Sequence, residues 1–121
     1  MNTVVWVISA LLAAAFLAAG LQKILQPKEK LRERTPYVDD FSQNAVRGIG
    51  IAEVLGALGL ILPWALDIAP VLTPLAASGL VVVMAGAVLT HVRRKEQREI
   101  VPPLVLGALA LLVAAVRFSQ L

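Results

Sequence analysis

Cysteine is absent from this 121-residue chain, so it can form no disulfide and offers no thiolate to a metal. Histidine occurs once, at His91. Together these two shortages exclude a bis-histidine haem or an iron–sulfur cluster held by this chain alone. The chain also lacks a nucleophile–base pair, a metal-ligand set and a phosphate-cradling loop, so enzyme activity by this chain alone is not expected. No Lys or Arg precedes the first apolar run, which argues against a cleavable secretory signal even though Ala18-Ala19-Gly20 offers small residues. Nothing marks a second domain, and residues 1–121 read as one unit.

Apolar residues make up 59% of the chain, against about 45–50% in an ordinary globular domain. They are gathered into four blocks with the charges squeezed between them, the pattern of a bilayer protein. A hydrocarbon core of about 30 Å takes roughly 20 helical residues. The blocks place spans near 4–25, 45–64, 69–92 and 103–118, each helical because open strands would leave backbone groups unpaired in lipid. The fold class expected is an all-α integral membrane four-helix bundle. Pro63 and Pro70 should bracket the turn between spans two and three. Pro74, Pro102 and Pro103 fall in first turns, where proline costs least.

Ten of the eleven Lys and Arg residues lie at or beside the first and third connections, leaving Arg117 for the other side. Excess Lys and Arg mark cytoplasmic loops. Loops 26–44 and 93–101 are therefore expected in the cytoplasm, both termini on the outer side, and the chain in the cell membrane. Trp6, Trp64 and Phe118 then share the outer interface, where such aromatics anchor helices. This distribution explains the net charge of +3 without nucleic acid, which is not expected as a partner. "QPKEKLRERTPYVDD", residues 26–40, permits a short interfacial helix after Pro27, ended by Thr35-Pro36; a solvated loop is the plainer reading.

One residue breaks the apolar pattern. In "VRGIGIAEVLGALGLILPW", residues 46–64, Glu53 sits among glycines and aliphatics. A charge at such depth costs a few kcal/mol unless it is paired or protonated, and it marks a candidate site. Gly50 and Gly56 lie within about 60° of it on a helical wheel, so it should face the bundle. Lys23, Arg47 and His91 end or begin neighbouring spans at a compatible level, and long stems can reach inward to it. Met84, with Ala77 and Ala87, shares a stripe that aims His91 at the bundle. Small residues are the usual glue of membrane helices. Gly48, Ala52 and Gly56 form one such ridge on span two, Ala15 and Ala19 one on span one, and Gly107 and Ala115 mark a face of span four.

"FLAAGLQKI" closing one span, "RGIGIAEVLGALGLILP" as the next and "MAGAVLTH" closing the third resemble the DoxX-like family of small membrane proteins. The residues that carry the likeness are Gly20–Lys23, Gly50, Glu53, Gly59, Pro63 and Met84–His91. The resemblance implies a single four-helix bundle. Some relatives are implicated as subunits or partners of membrane oxidoreductase assemblies, including thiosulfate:quinone oxidation and redox-stress complexes; others act as chaperones or cargo receptors. It transfers no catalytic mechanism to Glu53 or His91.

Three functions stand open at this point. In the first, Glu53, Lys23, Arg47 and His91 line a pocket for a quinone headgroup, a lipid or another lipophile in an accessory subunit whose electrons come from elsewhere. No cofactor is held covalently or through a metal. In the second, the same cluster is a clamp in a scaffold, chaperone or assembly factor, each intramembrane polar bond worth about 0.6–2 kcal/mol. The third is a proton-coupled carrier, although no broken helix or inverted repeat is evident. Beyond the bilayer, membrane-associated proteins or further copies of the chain are the expected partners.

Overall fold

The computed structural model describes residues 2–27, 30 and 41–121. Four helices follow one another: α1 (Asn2–Leu25), α2 (Gln43–Leu66), α3 (Leu72–Arg93) and α4 (Val101–Ser119), the last entered through a 3-10 turn at Gln97–Ile100. At 1.5 Å per residue the 24 residues of α1 and of α2 and the 22 of α3 rise about 33–36 Å, and α4 with its 3-10 turn about the same. All four are long and apolar enough to cross a bilayer. The expected interfacial helix after Pro27 lies outside the described residues.

Consecutive helices pack side by side, and a lighter contact between α1 and α4 closes the ring. The core is aliphatic: Leu12 and Phe16 of α1, Leu60 of α2, Leu80 and Met84 of α3, and Val113 of α4 are buried together. The outside is equally apolar. Leu11, Leu55, Val82 and Leu111 are each more than half exposed. A helix that is apolar all round belongs where both its faces are dry, and here the outer face is what lipid would cover.

Helix ends account for small departures from the sequence reading. Ser42 Oγ accepts from the Ala45 amide at 3.1 Å and starts α2 two residues early. Pro63 does not end α2. The helix runs on to Leu66 and closes with Asp67 in the left-handed region (φ 53°, ψ 39°), the Ile68 amide donating to Pro63 O at 3.1 Å. The turn also carries a positive φ at Ala69, so α3 begins at Leu72 and not at 69. Pro74, Pro102 and Pro103 sit in first turns as expected.

The small-residue ridge on α2 is a correction. Gly48 and Ala52 are exposed, and a Cβ added at Gly48 would meet nothing within 4 Å. Steps of four residues advance 400° around a helix, so a 48–52–56 row drifts about 80° off a single face. The packing face instead runs through Val46, Gly50, Glu53, Gly56, Ala57 and Leu60. Ala15 and Ala115, on four-residue rows of the same kind, are exposed as well. The tightest approach joins α1 to α2. A Cβ at Gly20 would stand 2.6 Å from Gly50 O, and one at Gly50 would stand 2.7 Å from Gly20 O. Only glycine at both positions lets the backbones meet this closely. Gly56 and Gly59 instead leave room for side chains of α3, Leu80 and Ala76 respectively.

Candidate functional site

The Gly20–Gly50 crossing sets the site. Glu53 follows Gly50 by one turn on the inner face of α2 and is 2% exposed. Lys23 follows Gly20 by one turn on α1, and its Cβ lies 2.8 Å from where a side chain at position 50 would begin. The missing side chain is therefore the room the lysine occupies. From there Lys23 Nζ donates to Glu53 Oε1 at 2.6 Å. Charge-assisted bonds of this kind are about twice as strong as neutral ones. Lys23 keeps 11% of its side chain exposed, so its end of the pair stays near the bundle's rim.

The other two expected members go elsewhere. Arg47 is exposed. Six residues separate it from Glu53, a rotation of 600°, so it leaves α2 about 120° away from the carboxylate. Rise along the helix allowed the contact; direction around it does not. His91 stands in a second cluster at the end of α3. Lys95, with φ 58°, turns the chain back, and the Glu96 amide donates to His91 O at 2.9 Å. That turn lays Glu96 Oε1 3.0 Å from His91 Nδ1 and 3.1 Å from Arg94 Nε. A carboxylate only accepts, so His91 Nδ1 carries the hydrogen. The His91 bond, aided by Arg94 and opposed by partial burial, holds the Glu96 carboxyl below the usual glutamate range.

Beside the Lys23–Glu53 pair lies a cavity of about 330 Å³. Lys23, Glu53, Thr90 and Arg93 give it polar groups, and Phe41, Ile49, Met84 and Ala87 give it apolar walls. The Thr90 hydroxyl donates to Gly86 O at 2.9 Å, which leaves its oxygen able to accept. Thr90 and Arg93 replace Arg47 and His91 as the polar residues around the buried acid. The signal for them was present in the sequence: Val83, Gly86, Thr90 and Arg93 form an i, i+3, i+7, i+10 stripe adjoining the one that carries His91. A larger groove of about 550 Å³ runs between α2 and α3, lined by residues such as Leu55, Gly59, Leu75 and Val83. Volume alone does not make it the site, since it has no charged group to orient a ligand. Among the described residues no three His, Asp or Glu side chains converge to hold a metal.

The sequence model of the DoxX-like family matches residues 7–113, nearly the whole chain, and the chain belongs to that family. No curated protein and no solved structure matches it.

Proposed function

We propose that this four-span member of the DoxX-like family is an accessory subunit of a membrane oxidoreductase assembly that binds a quinone or a similar lipophile beside Glu53. The observation that carries the reading is an ion pair lining a cavity whose other residues are apolar apart from Thr90 and Arg93. Ligand sites have that composition, with a few placed polar groups in an apolar recess of about 300–1,000 Å³. A quinone carbonyl accepts hydrogen bonds, and Lys23 and Arg93 are donors in the lining of the cavity. Reduction of a quinone to its quinol takes two electrons and two protons. Glu53, on this reading, passes protons and a partner subunit supplies the electrons. On this reading the cavity end, with loops 26–44 and 93–101, faces the cytoplasm across the cell membrane.

A structural reading has one specific observation behind it. The Lys23–Glu53 bond ties α1 to α2 one turn from the Gly20–Gly50 contact, where a clamp would be placed. Photolabelling separates the two. A photoreactive short-chain quinone added to the purified protein in nanodiscs should mark peptides containing residues 49–53 and 82–93, and unlabelled quinone should compete. Marks spread over the lipid-facing residues of every helix, without competition, would leave only the clamp.

A further inference from the structure

The bundle end that carries both chain termini holds a charge with no part in the cavity just described. Arg117, in the last turn of α4, is 0% exposed, although arginine is among the residues least often fully buried. Its guanidinium carbon lies 4.8 Å from the ring centre of Trp6 on α1 and 4.4 Å from that of Trp64 on α2. These are the only two tryptophans of the chain. Nη1 donates to Asn2 Oδ1 at 3.0 Å and to Gln120 Oε1 at 2.8 Å. Nε and Nη2 are buried and make no hydrogen bond among the described residues.

The pattern of use is specific. Two indole faces hold the guanidinium, one terminal nitrogen is saturated, and the two unused nitrogens, Nε and Nη2, lie together on a single edge of the guanidinium plane. That edge presents parallel donors at the spacing of two oxygens on one carboxylate or phosphate. All of the partners named are neutral, two amide oxygens and two rings, so a buried cation is left without a counter-charge. A second buried group points to the same need. Ser9 is 0% exposed, its hydroxyl has no partner among the described residues, and it shares a face of α1 with Asn2 and Trp6.

We infer that the Nε/Nη2 edge of Arg117 is an oxyanion site, taking two oxygens of a phosphate or carboxylate group. The group comes from an anionic lipid headgroup in the adjoining leaflet or from a soluble oxyanion. The site lies among terminal turns, since Asn2 begins α1 and Gln120 caps α4, and helix ends are where local opening is cheapest. Seventeen residues of α1 separate Trp6 from Lys23, about 26 Å, so the site is independent of the cavity.

The two tryptophans report on it directly. Full-length protein in maltoside detergent, which carries no phosphate, is titrated with inorganic phosphate at constant ionic strength, with chloride as the matched control, while tryptophan emission is followed. In parallel, emission and melting temperature are compared between maltoside micelles without and with added phosphatidylglycerol. The expected result is a saturable emission change with phosphate or with phosphatidylglycerol, and at least tenfold weaker binding in Arg117→Lys, which keeps the charge and loses the fork. A response to the lipid alone assigns the headgroup, and a response to phosphate alone assigns a soluble anion. Should Arg117→Lys fail to fold, the preference of the wild-type protein for phosphate over chloride decides. No saturable response in either arm, or an equal response to chloride, overturns the inference.

Discussion

Glu53 shows how a single acid is kept inside a membrane helix. Its partner comes from the neighbouring helix, and the room for that partner comes from a glycine one turn away. The acid itself was legible in the sequence, because a lone carboxylate in an apolar run stands out on hydropathy alone. So was Lys23, the basic residue that ends the facing span. Arg47 and His91 were not separable from it by depth along the helix, since their exclusion depends on direction around the helix and on the turn at Lys95. Glu96 offers a prediction at the same scale. Its carboxyl titrates lower in the folded chain than the ordinary value of about 4.3, so it adds stability that is complete above that value and is lost as pH falls through the folded one. Wild-type protein should therefore melt higher than Glu96→Gln at neutral pH. The gap should close as the pH falls through the folded carboxyl's lowered titration, and a gap independent of pH would contradict the pairing with His91 and Arg94.

At the scale of the helices, glycine has two different roles on one element. Gly50 faces Gly20 backbone to backbone, whereas Gly48 faces outward. Gly50→Ala should force α1 and α2 apart, destabilising the bundle by about 1–3 kcal/mol, the usual cost of overpacking, and disturbing Lys23 as well. Gly48→Ala should be neutral to slightly stabilising, since it adds a better helix former where nothing is displaced. Thermal unfolding in a single detergent compares them, and equal losses would mean that the two helices do not cross at position 50. The existence of four helices and their bounds to within three residues followed from length and hydropathy. Which small residues lie at the contacts did not, because four-residue spacing is shared by faces that turn away from the bundle.

The molecule as a whole has two unlike ends. One collects the Lys23–Glu53 pair, the cavity and the His91–Glu96–Arg94 cluster. The other buries Arg117 between the two tryptophans. Charge counting separated these ends before any coordinates, but it treated Arg117 as a residue left over, since nothing in the sequence shows that two indoles thirty or more residues apart in the chain converge on one guanidinium. The membrane sidedness that the count implies has a direct check, made clean by the absence of native cysteine. Arg94→Cys should resist impermeant thiol reagents in intact cells and react once the membrane is opened; labelling from outside would invert the topology.

The most direct test of the ligand site is photolabelling by the quinone probe in Glu53→Gln, measured beside the melting temperature of the same sample. Glutamine keeps the shape and an acceptor oxygen, and Lys23 at the rim can turn to solvent, so the fold should hold to within a few degrees. The account predicts a loss of at least tenfold in competed labelling of the cavity peptides at that nearly unchanged melting temperature. Undiminished labelling, or a loss that only follows the fraction of unfolded protein, would contradict it.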